Sequence, residues 1–261
     1  MGVMTSILKG IIRYDGSSFA GWQRQRHERT VQGELEAALS RIASQPIRVQ
    51  GASRTDAGVH AFGQVFSCTW PKPFQSGLRH ALSQMLGPEI RITELTEAPD
   101  GFNARFDSLA KRYAYTIDLA REPDPFAARY AWHVPYRVDL DLLASLAARL
   151  PGKRDFAGFQ SAGTQMKSTV RTLYGVTLQR GGVIGPQDHG DLWRLEFFGN
   201  GFLYKMVRNL TGTLAEIARG RFPVTFLEEC LASPGPFRGH CAPAHGLVLL
   251  CVHYEQVGTQ R

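Results

Sequence analysis

Cysteine is scarce in this chain: four residues in 261, at Cys68, Cys230, Cys241 and Cys251, with no C-x-x-C pair and no zinc-like Cys/His spacing. That argues against a disulfide scaffold or a structural zinc site and reads as buried, reduced thiols of a cytoplasmic protein. Long apolar runs are missing too. The longest, Gly246 to Val252, is about a third of a membrane span, so no membrane contact is expected. The opening MGVMTSILKGIIRYDG is interrupted by Lys9 and Arg13 and is too short and too charged for a signal peptide. The 27 glycines and 14 prolines follow no tripeptide period, which excludes collagen. There is no glycine-rich phosphate loop and no second catalytic carboxylate at clear spacing, which counts against a nucleotide hydrolase or an N-glycosidase. The pattern of aromatic RNA-recognition sheets is absent as well.

What is present is a foldable, basic chain. Apolar residues make up 43% and charged residues 20%, enough to bury a sizeable core, and the length falls between one large domain and two ordinary ones. Lys and Arg number 30 against 23 Asp and Glu, for a net +7 and a pI near 9.4. Such an excess suits a polyanionic partner, although charge alone does not separate nucleic acid from anionic lipid.

Periodicity supplies the elements. Ser6 to Tyr14 reads as a strand ending in the turn signal Asp15-Gly16-Ser17-Ser18. Val31, Leu35, Ala38, Leu39 and Ile42 recur at helical spacing, with Thr30 as N-cap and Pro46 beyond the end. Strands at Ile47–Gln50 and Phe62–Trp70 follow, then a helix through Leu78, Leu82, Met85 and Leu86, stopped by Gly87-Pro88, and a strand at Ile90–Leu95. The second half repeats this order. A strand lies within Arg105–Leu119, and Asp139 caps a helix through Leu140, Leu143, Leu146, Ala147 and Leu150. Strands at Thr169–Gln179 and Leu192–Phe198 flank the hairpin-like loop GGVIGPQDHGD. A helix carrying Phe202, Met206, Leu210, Leu214 and Ile217 precedes a last strand, Leu247–Tyr254. Strand, helix, strand, strand, helix, strand is the split βαβ order, met twice. The expected class is therefore α+β: two ferredoxin-like halves, residues 1–107 and 108–261, joined into one mixed, mainly antiparallel sheet with helices on one side and a central cleft.

The densest polar run, Gly51-Ala52-Ser53-Arg54-Thr55-Asp56-Ala57-Gly58-Val59-His60, lies between two strands. In an extended segment Arg54 and Asp56 project to one side, and a guanidinium there keeps the carboxyl ionised. An ionised carboxylate in a cleft serves as nucleophile, general base or electrostatic stabiliser; a loop Asp that merely caps backbone amides is the commoner use of such a triplet. RTDAGVHA, preceded by RYDGSSFAGWQRQ and followed by GQV, FNARFDSLAKRYAY, DFAGF, TVRTL, FLYKMVRN and APAHGLVLL, resembles the TruA family of tRNA pseudouridine synthases over nearly the whole chain, in the family's order.

The resemblance implies a basic cleft, and isomerisation of uridine to pseudouridine at positions 38 to 40 of the tRNA anticodon stem-loop, without cofactor or metal. It makes Asp56 the catalytic aspartate, attacking C1′ or C6 or assisting elimination through C2′. Arg54 contacts phosphate or orients the nucleotide. Arg208 matches an arginine set against the carboxylate, and Leu247 an apolar wall of the pocket. Tyr113 matches the tyrosine stacked on the uracil, a candidate acceptor for its C5 proton, although Tyr115 shares its strand face. The family's dimers imply a homodimer across which one tRNA reaches. Trp22, Arg24 and Arg26, on a loop, and Lys153 with Arg154 are candidate RNA contacts, Trp22 being as well suited to the core. Ser53 and Asn103 replace a glycine and a histidine common in the family, which touches fine substrate preference. The competing reading is a non-catalytic RNA-binding or folding protein on the same fold.

Overall fold

The computed structural model describes residues 5–163, 167–184, 191–232 and 235–255. Ten strands and five α-helices lie among them, and the chain packs as two compact units: Met1–Leu109 with Leu249–Arg261, and Ala110–Val248.

In the first unit β1 (Ser6–Tyr14) alternates, with Leu8, Ile12 and Tyr14 buried and Arg13 exposed. Helix α1 (Val31–Ala43) starts at Thr30, whose hydroxyl accepts the Gly33 amide at 3.2 Å, and ends at Ser44 in the left-handed region, just before Pro46. It buries Val31, Leu35, Ala38 and Leu39, while Ile42, which the helical spacing also selects, is only half-buried. Strand β2 (Gln50–Gly51) is shorter and later than its sequence suggested, although Ile47 and Val49 are buried. Strand β3 (His60–Trp70) lies antiparallel to β1, and β4 (Ile90–Ala98) flanks β1 on its other side, again antiparallel. The order is β4-β1-β3, with β2 on β3. Helix α2 (Leu78–Met85) packs on β4 through Leu78 and Leu82, while Met85, expected on that face, is 40% exposed and Leu86 is buried instead.

In the second unit β5 (Ala110–Asp118) pairs in parallel with the two-residue β6 (Trp132–His133). Helix α3 (Leu140–Ala148) is capped by Asp139, whose carboxylate accepts the Leu142 amide at 2.9 Å. Strands β7 (Gly152–Asp155), β8 (Val170–Arg180) and β9 (Leu192–Gly199) form, with β5, the antiparallel order β5-β9-β8-β7. Most of the expected loop between β8 and β9, residues 185–190, lies outside the described residues. Helix α4 (Met206–Ala218) buries Met206, Leu210, Leu214 and Ile217. It does not include Phe202, placed on its apolar face by spacing, because Lys205 sits in the left-handed region at φ 58° and the helix begins after it. Helix α5 (Phe226–Ala232), β6 and β7 were not expected. Strand β10 (Leu247–His253) closes the fold.

The residues from Leu249 onward belong to the first unit rather than to the second half of the chain, and the division falls after Leu109 rather than residue 107. Gly63 lies against them so closely that a Cβ would meet the Leu250 carbonyl oxygen at 2.5 Å. Leu109 N–H donates to His253 O at 2.8 Å and the Tyr254 hydroxyl to Ala104 O at 2.7 Å. Among the described residues no helix is long and apolar enough to cross a membrane, and no group of three His, Cys, Asp or Glu could hold a metal ion.

Candidate active site

Asp56 stands on a loop whose backbone is held from both sides. Trp22 N–H donates to Thr55 O at 3.0 Å, and the Thr55 hydroxyl bonds the Tyr14 hydroxyl at 2.8 Å. On the N-terminal side Gln64 Nε2 donates to Ser53 O at 2.7 Å and its Oε1 accepts the Ser53 amide at 3.2 Å. On the C-terminal side Val59 N–H returns to Asp56 O at 3.1 Å across Gly58, whose φ of 80° a side chain would strain. Two glycines of the preceding turn complete the brace. A Cβ at Gly16 would fall 2.0 Å from Val59 O, and one at Gly21, itself at φ +94°, 2.6 Å from Thr55 O. His60 is fully buried, and its Nδ1 accepts the Gly16 amide at 3.0 Å. That nitrogen is therefore a lone-pair acceptor, so the 3.2 Å approach of Asp15 to it is no ion pair. The outcome is an Asp56 with a fixed backbone and a half-buried side chain.

Arg54 is exposed, and among the described residues it forms neither a hydrogen bond nor an ion pair. The pairing with Asp56 expected from an extended segment is not formed, because the chain turns at Asp56–Val59 and the i, i+2 rule of a strand lapses there.

In the second unit Tyr113 is 5% exposed and its ring meets Phe202 edge-on, centroids 5.1 Å apart and planes at 82°. Tyr115 is fully buried, with its hydroxyl donated to Pro243 O at 2.7 Å. Burial drives its acidity well below that of an ordinary phenol, raising the pKa, while the nearby Arg208 opposes the shift. That hydrogen bond to Pro243 O commits Tyr115 to the fold, and Tyr113 is buried nearly as deeply. Arg208 Nε donates to Ala242 O at 2.8 Å, while Ala242 N–H donates back to Arg208 O at 3.2 Å, so the guanidinium is steered by the segment before Leu247. Leu247 is 6% exposed and follows Gly246, where a Cβ would meet the Tyr115 ring at 2.7 Å. Tyr115, Arg208 and Leu247 are thus neighbours through one strap, Ala242–Gly246.

The expected RNA contacts divide. Trp22 is 1% exposed, its indole so close to Gly51 that a Cβ there would lie 2.4 Å from the ring, so in this fold it packs the core and offers no platform to a base. Arg24 pairs at 2.9 Å with the buried Glu36, which Arg48 also reaches at 3.2 Å, and so part of its charge is spent within the protein. Arg26, Lys153 and Arg154 are exposed. The bracing roles of Gly16, Gly21 and Gln64, and the place of Phe202 beside Tyr113, are not legible in the sequence; each depends on a contact between segments distant along the chain.

The family model described as tRNA pseudouridine synthase matches residues 11–107 and 146–255, most of the chain. The chain belongs to that family. Similar chains include the tRNA pseudouridine synthase A of Streptococcus mutans, 38% identical over 95% of this chain and 98% of the relative, and that of Latilactobacillus sakei, 40% identical over 97% and 100%. This synthase is accordingly an isomerase. The matched segments contain Arg54, Asp56, Arg208 and Leu247, whereas Tyr113 falls between them.

Proposed function

We propose that this synthase converts uridine to pseudouridine at positions 38 to 40 of the tRNA anticodon stem-loop, with Asp56 as the reacting carboxylate and no cofactor. The observation that carries the reading is the bracing of the Asp56 loop. A carboxylate that must meet one sugar–base junction gains from a backbone set before the substrate arrives. The reaction exchanges one glycosidic bond for another: N1–C1′ breaks, C5–C1′ forms, C5 loses a proton and N1 gains one. Oxidation state and composition are unchanged, so the chemistry calls for neither a redox partner nor a group carrier. Attack at C1′, attack at C6 and elimination through C2′ all require the carboxylate at that junction and water excluded from the detached base.

Tyr113, Arg54, Arg208 and Leu247 are assigned to the extruded nucleotide: Tyr113 beneath the uracil, Leu247 as an apolar wall, the arginines on charge. A neutral phenol with an ordinary pKa of about 10 is a weak base, so Tyr113 acts through orientation if it receives the C5 proton. Extruding a stacked uridine costs a few kcal/mol, which backbone contacts offset. Arg24, Arg26, Lys153 and Arg154 supply such contacts along a basic cleft between two ferredoxin-like halves. The working form is a cytoplasmic homodimer.

Release of tritium from tRNA labelled at uracil C5 tests the reading. Asp56→Ala should abolish release while leaving tRNA affinity within a few-fold of wild type. Turnover by that variant removes Asp56 from the mechanism. Tight binding by wild type without release leaves an idle RNA binder, and free uracil in the products indicates a glycosidase.

A further inference from the structure

We propose that Arg13 and Arg91 form a clamp for a phosphodiester of the RNA backbone, at the end of the first unit's sheet that carries the Asp56 loop. The proposal rests on tRNA being the substrate.

Arg13 of β1 and Arg91 of β4 stand directly opposite in the antiparallel register. Each is exposed, while its neighbours Ile12, Tyr14, Ile90 and Ile92 are buried, so strand alternation sends both side chains to the same, solvent-facing side. Like charges directly opposite on adjacent strands are destabilising, their Cβ atoms only about 5 Å apart. Among the described residues neither arginine forms an ion pair, and Glu94, opposite Ile11, reaches neither of them. Glu89 is occupied by Arg29 at 2.7 Å, and Asp15 caps the Ser17 amide. The Arg13 guanidinium lies 5.6 Å above the Phe62 ring, which holds it on that face. An anion bridging the two guanidinium groups turns the repulsion into two charge-assisted contacts.

The surroundings favour a phosphate on a polymer. The clamp is at the chemically relevant end of the sheet, since Tyr14, next to Arg13, faces Ala61 of β3 on one side and Ile90 of β4 on the other. With strands about 4.8 Å apart, β4 lies on the order of 10 Å from β3, the strand that begins just past the Asp56 loop. A phosphate held there belongs to the RNA strand close to the target nucleotide.

Titrating tRNA affinity against salt for wild type, Arg13→Ala, Arg91→Ala and the double variant tests the clamp. Each arginine on a phosphate contributes about one unit to the slope of log affinity against log salt. Each single variant should therefore flatten the slope by about one and weaken binding several-fold at low salt, and the double by about two. Arg149→Ala, which removes the partner of Glu228 in the other unit, should leave the slope unchanged. Because each substitution relieves repulsion, the single variants should melt no lower than wild type, so lost affinity will not reflect unfolding. A double variant with the wild-type slope overturns the proposal. So does stabilisation of wild type by inorganic phosphate with no change in tRNA slope, which would make the pair a site for free anions only. Wild type that binds no tRNA defeats the substrate reading along with the clamp, whereas wild type that releases tritium with slopes unaffected by the variants defeats the clamp alone.

Discussion

A methyl group added to Gly21 would have to share space with the Thr55–Asp56 backbone, at a φ of +94° that L side chains rarely adopt. Gly21→Ala should cost at least about 1–2 kcal/mol from the left-handed backbone alone. Because the clash falls on the Asp56 loop, turnover should drop more than tRNA affinity. Gly77→Ala, at a position with nothing within 4 Å, is the control and should change neither, as single-turnover rates and urea midpoints would reveal. Cys68 gives a prediction of another kind. Burial pushes its thiol up to about 12, far above an ordinary thiol near 8.5. A raised pKa means that the folded protein keeps a proton which the unfolded chain releases, so stability is full below about pH 8.5 and declines as pH rises toward 12. Burial likewise raises the Tyr254 hydroxyl, in the same alkaline direction. Urea midpoints between pH 7.5 and 10.5 should fall for wild type and fall less for Cys68→Ala, whatever the cavity costs at neutral pH. At this scale RTDAGVHA was legible because its chemistry is consecutive. Its supports at Gly16, Gly21 and Gln64 were not, because a glycine's reason for being small is an atom tens of residues away.

Elements were legible where their signal was long and local. Helices α1 and α3 begin at the caps their sequences announce, Thr30 and Asp139, and β1 follows its alternation from Ser6 to Tyr14. Strands β6 and β7, of two and four residues, offer too few positions for a period to emerge, and they exist because a neighbouring strand has backbone groups to satisfy. Helix α4 starts later than its apolar stripe suggests because Lys205 turns left-handed, and no side chain caps the helix N-terminus there. That conformation costs a non-glycine residue about 1–2 kcal/mol, which glycine escapes. Lys205→Gly should therefore raise the melting temperature by several degrees; a lower value would mean that the Lys205 ammonium, 5.1 Å from the Tyr204 ring centroid, stabilises more than the strain costs.

For the whole molecule, the feature least visible in the sequence is that the chain does not divide into two consecutive halves. The repeated strand–helix order suggests a cut near residue 107, with everything beyond it in the second half. In the fold the residues from Leu249 return to the first unit, carried there by contacts that no periodicity encodes. Leu250 fits against Gly63, His253 accepts the Leu109 amide, and the Tyr254 ring lies beneath the Lys9 ammonium at 4.5 Å while its hydroxyl satisfies Ala104 O. Val252 and Tyr254 pack with Ile11 and Phe102 onto a core of Ala52, Val65 and Ala104, next to the segment from which the Asp56 loop springs. A chain ending at Val248 keeps every residue of the second unit's span and every residue from 1 to 109, so two independent halves would tolerate the cut. The packing instead predicts damage to the first unit. It loses a side-chain hydrogen bond that leaves a carbonyl unsatisfied, at about 1–3 kcal/mol, along with the apolar cover of Ala52 and Val65. Truncation after Val248 should therefore expose Trp22 and Trp70, both buried in the first unit, as a red shift in tryptophan emission, with faster amide exchange along Ser6–Tyr14 and slow exchange retained along Met206–Ala218. Equal protection of both segments in the shortened chain would show that the return of the last strand is dispensable.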